Sequence, residues 1–186
     1  HHVVNSSLAG NSTPINDYGW YEFGGAINST GSLNISGSLF DGNFANEAGA
    51  IKLRQGSKDS SISSSTFRNN YAATGSGGAV VHDSGSLQIS NSTFLKNEAQ
   101  KGDGGAIYTS ASLILAGKTS FTENTASGSG GAINLISGSS LSVSDVSFSN
   151  NTAQNGNGGA VNASSAAKVN IDGAEFRQNR ADNGYG

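Results

Sequence analysis

Apolar residues recur along this chain in short alternating pairs, not in helical stripes. Leu33-Asn34-Ile35, Leu87-Gln88-Ile89, Leu113-Ile114-Leu115, Leu141-Ser142-Val143 and Val169-Asn170-Ile171 each place two apolar side chains on one face of an extended segment. Gly, Ser, Asn and Asp flank every pair, which marks short strands separated by turns. In all but one copy the first apolar residue lies seven positions before a Phe. The Leu113 copy carries one extra residue near Ala116-Gly117-Lys118, which reads as a bulge. The second repeat has only Ile62 in this pattern and is predicted to be the weakest rung.

Two motifs give the pairs a period. Phe-x-x-Asn-x-Ala occurs six times, at Phe40/Asn43, Phe67/Asn70, Phe94/Asn97, Phe121/Asn124, Phe148/Asn151 and Phe176/Asn179. Gly-Gly-Ala-(Ile/Val) alternates with it: Gly24-Gly25-Ala26-Ile27, Gly77-Gly78-Ala79-Val80, Gly104-Gly105-Ala106-Ile107, Gly130-Gly131-Ala132-Ile133 and Gly158-Gly159-Ala160-Val161, with a degenerate copy at Ala48-Gly49-Ala50-Ile51. Successive motif alanines lie 24 to 29 residues apart, a solenoid period. Strands this short are not stable alone; coiling them so that each pairs with its equivalent one repeat later solves the problem. The pattern therefore predicts an all-β, right-handed parallel β-helix of about six rungs, each with three short strands and rising about 4.8 Å along the axis. Gly pairs and Ser-Asn runs argue against helical repeats of similar length. Residues 24–186 are expected to form the repeats, as a piece of a longer solenoid. Residues 1–23 fit the period poorly and are expected to form an N-terminal cap or lead-in.

The period assigns jobs to the motif residues. Stacked Phe rings fill one corner of a narrow core, and stacked Asn amides hydrogen-bond along the axis, as in other in-register parallel stacks. Gly-Gly supplies a turn with positive φ or a close backbone approach. Whether the motif Ala faces inward stays open. Tyr18, Trp20, Tyr21 and Phe23 cluster ahead of the first Gly-Gly; they read as a cap over the first rung's edge in preference to an aromatic binding surface.

The alternation of Gly-Gly-Ala-(Ile/Val) with Phe-x-x-Asn resembles the chlamydial polymorphic membrane protein repeat, over nearly the whole chain from Gly24 to Gly186. The resemblance implies a β-helical passenger displayed outside the cell by an autotransporter, with a role in host-cell adhesion. By resemblance that role falls on Gly24, Gly25, Ala26, Ile27, Phe40 and Asn43, and on the equivalent Gly-Gly, Phe and Asn residues of the later repeats. Many members carry cysteines; this chain has none.

Composition narrows the function classes. Charged residues make up 12% of the chain and the net charge is −3, with no basic run, so nucleic acid is not an expected partner. No apolar run is long enough to span a membrane as a helix. No cofactor or metal site is expected. Asp59, Asp83 and Asp103 sit in turn-like contexts where Asp caps its own backbone, and His82 is a lone His near a strand. Polysaccharide lyases and glycosidases also use β-helices, but their chemistry needs acids and bases gathered on one face. Lys96, Glu98, Lys118, Glu123, Glu175 and Arg177 shift position from rung to rung and read as a solvated surface. The expected function is a non-catalytic, extracellular or surface-displayed adhesive stalk. Its partner would be a protein or glycan on another cell, with end-to-end filament assembly as the alternative. The segments after Gly-Gly-Ala-Ile, such as 54–59, vary around a constant frame and are the expected place for binding function.

Overall fold

A computed structural model describes residues 1–13, 23–136, 138–165 and 167–186. Among them every paired strand is parallel, no helix forms, and the strands fall into four sheets of seven, seven, six and six members. Each sheet holds one strand per rung, so the chain is a parallel β-helix whose contacts run almost wholly between neighbouring rungs.

Three of the four strands are those predicted from the alternation. The Gly-Gly-Ala sheet runs from Ile27–Ser29 to Val161–Ala163, the Leu-x-Ile sheet from His2–Val4 to Lys168–Asp172, and the Phe sheet from Ser7–Ala9 to Glu175–Arg177. A fourth strand of two residues lies in each Asn-x-Ala segment, from Phe44–Ala45 to Arg180–Ala181. With one inward residue per strand, Ala, it is too short for alternation to reveal.

Register follows the motifs: Phe94 pairs with Phe67 and Phe121, Ala99 with Ala72 and Ala126, and Ile107 with Val80 and Ile133. The extra residue in the fourth repeat is absorbed between two strands. Leu115 stays level with Ile89 and Phe121 with Phe94, while Gly117 takes φ 62° between them. In the second repeat Ser60 stands where other rungs place Leu, and its hydroxyl accepts from the Leu33 backbone N–H at 3.1 Å.

Residues 1–13 continue the frame ahead of Gly24. Leu8 pairs with Phe40 and Val3 with Ile35, and the Asn11 amide donates to Asn43 Oδ1 at 2.8 Å. Leu8-x-x-Asn11 is a copy of the Phe motif in which Leu replaces Phe. Tyr18, Trp20 and Tyr21 lie outside the described residues.

The core is one continuous column. Phe40, Phe67, Phe94, Phe121 and Phe148 are fully buried, and with Phe176 their rings stack at centroid spacings of 4.5–5.0 Å. Ile51, Val80, Ile107, Leu87, Ile89 and their equivalents fill the rest. The motif Ala faces inward: Ala50, Ala79, Ala106 and Ala132 belong to this core. In the last described rung Val169, Ile171 and Phe176 are 42%, 43% and 46% exposed.

Candidate functional site

The Asn column is a closed hydrogen-bond network. Asn124 Nδ2 donates to Asn151 Oδ1 at 2.9 Å and to the Phe94 carbonyl at 3.0 Å. Its Oδ1 accepts from the backbone N–H and the side-chain amide of Asn97, at 3.0 and 2.9 Å. The same bonds repeat along the chain, so both amide hydrogens and both acceptor positions of a fully buried side chain are satisfied. The residue before each Asn makes this possible by turning the corner at positive φ, as at Lys96 (54°) and Glu123 (54°). A second column, not anticipated from sequence, sits two residues before each Phe. Ser38, Ser65, Ser92 and Thr119 are buried; each side-chain oxygen accepts a backbone N–H of the preceding rung and donates back within its own rung. Its signal is Ser or Thr at that position in four of the six Phe copies.

The Gly-Gly pair is equally internal. Gly104 takes φ 65°, and a Cβ there would strike the Ile107 carbonyl. A Cβ on Gly105 would strike the Gly131 carbonyl and the Thr125 backbone. The first Gly makes the turn, and the second lets the two-residue strand pass close by.

The motif residues singled out by resemblance therefore shape the β-helix from within. The Phe and Asn side chains of the inner rungs are 0% exposed, leaving no surface for a partner.

The most enclosed outward positions lie over the Gly-Gly-Ala sheet. Asn28, Lys52, Val81, Tyr108, Asn134 and Asn162 follow the motif Ile or Val and face away from the core, level with one another along the axis. Yet Lys52, Val81 and Asn134 are only 7%, 0% and 3% exposed. The Gly-rich turn leading into each Gly-Gly-Ala strand folds over this face, so that the Val81 side chain packs directly against Gly77. Toward the first rungs of this sheet a groove of about 360 Å³ is lined by Phe23, Glu47, Lys52, Arg54, Gln55, Asp83 and Ser110.

Charges are paired across rungs in this groove. Lys52 Nζ sits 3.0 Å from Glu47 Oε1 and 3.1 Å from Asp83 Oδ2. Lys52 Nζ and the Arg54 guanidinium lie 5.4 and 5.9 Å from the Phe23 ring centroid, within cation–π range. Burial raises the Tyr108 phenol pKa above its ordinary value, and the negative charges of Asp103, Glu47 and Asp83 add to the effect. Asp59 and Asp103 do not cap their own turns as expected: each accepts a backbone N–H one rung away, from Ser86 at 2.9 Å and Ser129 at 2.6 Å. In a solenoid the nearest unpaired donor is often on the next coil, whichever residues adjoin in sequence. His82 is buried in the same sheet with Nδ1 3.1 Å from Thr109 Oγ1. No group of three or more His, Asp or Glu positioned to hold a metal ion occurs among the described residues.

The charges near the Phe strands stay apart from this groove. Lys96 meets Glu123 at 3.5 Å and Arg68 meets Asp41 at 2.7 Å, both at the surface.

No curated protein and no solved structure matches the chain. The Chlamydia polymorphic membrane protein (Chlamydia_PMP) repeat matches residues 91–110, 118–135 and 145–164. These segments begin near a Phe strand and end near a Gly-Gly-Ala strand, so each spans the buried columns described above, and over these three stretches the parallel β-helix is similar to the Chlamydia polymorphic membrane protein repeat.

Proposed function

We propose that this chain is a non-catalytic segment of a surface-displayed adhesive stalk, in the manner of an autotransporter passenger. The observation that carries the reading is the match of the family repeat to a rung whose motif side chains are buried in the core, leaving the outward positions available for contact. Stacked rungs give a stiff rod, and side positions can vary without disturbing the Phe and Asn columns. Beads coated with the purified chain should adhere to cultured epithelial cells above beads coated with an unrelated β-helix. Equal adhesion of the two would end the proposal.

A further inference from the structure

We infer that Lys52 and Asp83 join through a side-chain amide bond, formed within the folded protein with Glu47 moving the protons, and that this bond ties two neighbouring coils covalently. The inference goes beyond the adhesive reading and does not depend on it. Its starting point is the setting of one lysine. Only 9% of the Lys52 side chain is exposed, yet its ammonium touches two carboxylates, Glu47 Oε1 at 3.0 Å and Asp83 Oδ2 at 3.1 Å. In the other ion pairs of the described residues the basic side chain is 46% exposed or more.

The fold holds the three groups in contact. Lys52 lies in Ile51–Leu53, level with Val81 of the next coil. Asp83 directly follows that coil's strand, Val80–His82, and its backbone N–H donates to the Leu53 carbonyl at 2.9 Å. Glu47 is bridged to Phe23, and its side chain packs on Gly75, where an added Cβ would lie 2.9 Å from Glu47 Cβ and 3.0 Å from Cγ. The Phe23 ring centroid is 5.4 Å from Nζ. Groups held this way react as if highly concentrated, because folding has already removed the freedom that a bimolecular encounter would lose.

The contacts divide the roles. Lys52 Nζ donates a hydrogen bond to Glu47 Oε1, whereas its contact with Asp83 is an ion pair alone among the described residues. Glu47 is placed to take protons from the nitrogen, and Asp83 to receive the nitrogen itself. One proton passes from the ammonium through Glu47 to an Asp83 oxygen, and the freed lone pair on Nζ attacks Asp83 Cγ to form the C–N bond. A second proton follows the same route to the same oxygen, the C–O bond breaks, and water departs. An ammonium and a carboxylate thus become an amide and one water, and Glu47 ends as the carboxylate it began. In bulk water the hydration of both charges opposes this exchange. Here Lys52 has already lost most of its water, and a neutral amide removes a charge pair whose desolvation is costly. Glu47, Lys52 and Asp83 all line the open groove, which gives the water its exit. The chain has no cysteine, so no disulfide ties its coils. A Lys52–Asp83 amide closes the intervening coil into a covalent loop, and the two coils then cannot part at this sheet without breaking it.

The test is the intact mass of the purified whole chain after acid denaturation. The expected mass is one water below that of the sequence. A tryptic digest should hold a branched peptide joining Lys52 to Asp83 and uncut after Lys52. Lys52→Arg and Asp83→Ala should each show the full mass. Glu47→Gln, checked for fold by circular dichroism, should slow the reaction about a hundredfold, as loss of a proton-transferring group does. A folded wild-type chain at its full sequence mass would overturn the inference. So would a water lost equally from Lys52→Arg, the mark of a cyclic imide at an aspartate, or a branch to Glu47 in place of Asp83. A folded Glu47→Gln chain that reacts at the wild-type rate would overturn the role given to Glu47.

Discussion

Asn124 shows how much one side chain can carry in a stack. Its removal leaves the Asn97 amide and backbone N–H without their shared acceptor and the Phe94 carbonyl without its side-chain donor, all in a site closed to water. Asn124→Ala should therefore cost about 3 kcal/mol or more, because buried groups left unpaired bear their full desolvation penalty. A chemical denaturation midpoint equal to wild type would show that the ladder is not a stabilising element. His82 makes a second prediction at this scale. Burial lowers its pKa to about 4, against the smaller opposing effects of the Ser84 backbone and the Asp83 charge. Its neighbours within the sheet are Leu53 and Thr109, and its Nε2 is buried without a partner among the described residues. The unfolded chain takes up the proton near pH 6.5 and the folded chain does so only near 4. The stability that neutral His82 contributes is thus at its full value above the higher value, falls as pH drops through the window, and that contribution alone is fully lost below the lower one. The slope is about 1.4 kcal/mol per pH unit, or about 3 kcal/mol across the window. Melting temperatures followed from pH 7 to pH 4 should decline in wild type and decline less in His82→Leu; parallel curves would remove His82 as the cause.

At the scale of the strand, shape complementarity between coils dominates. Phe121 is sandwiched between Phe94 and Phe148 at 4.8 and 5.0 Å, so Phe121→Ala should open a cavity and cost roughly 3–5 kcal/mol. Gly105→Ala removes no contact, yet its added carbon meets backbone on two sides, the Gly131 carbonyl and Thr125, and neither is the free end of a side chain. Thermal melts should show both variants strongly destabilised; a tolerated Gly105→Ala would mean that the two sheets can move apart. The same elements explain what sequence alone revealed. The Phe and Asn columns were legible because parallel stacking repeats a buried requirement at nearly constant spacing, so the same side chain must return. The fourth strand was not, because Phe44–Ala45 and its equivalents offer a single inward residue. The rung ahead of Gly24 was hidden by Leu8 in place of Phe. The groove was not legible either, for a different reason. Its lining residues, among them Phe23, Glu47, Lys52, Asp83 and Ser110, belong to no repeated motif and come from separate coils of the chain.

The whole molecule behaves as a stack of nearest-neighbour units, and its response to deletion follows from that. Ladder bonds join residues 27 positions apart through the middle rungs, at Asn70–Asn97, Asn97–Asn124 and Asn124–Asn151. Removing residues 124–150, a stretch of 27 residues, joins Glu123 to Asn151 and recreates Phe-x-x-Asn across the junction. Asn97 then meets Asn151, Phe121 meets Phe176, and Ile107 meets Val161, so every column closes over the missing coil. The cost is one set of inter-rung contacts, with folding still cooperative. Removing residues 124–136 takes away about half a coil. It deletes Asn124 together with the Gly130-Gly131 turn and brings the Leu-x-Ile strand Ser140–Ser144 to the place of the turn that follows the short strand, so each later column is offset and apolar faces turn to solvent. The full-rung deletion should thus give a β-rich circular dichroism spectrum, a single though lower melting transition, and a long axis shorter by about 4.8 Å in X-ray scattering. The half-rung deletion should lose the folded signal downstream of the junction. Equal stability of the two deletions would contradict a register fixed by stacked side chains, whereas survival of the full-rung deletion alone would place the stability of this β-helix in the contacts between successive coils.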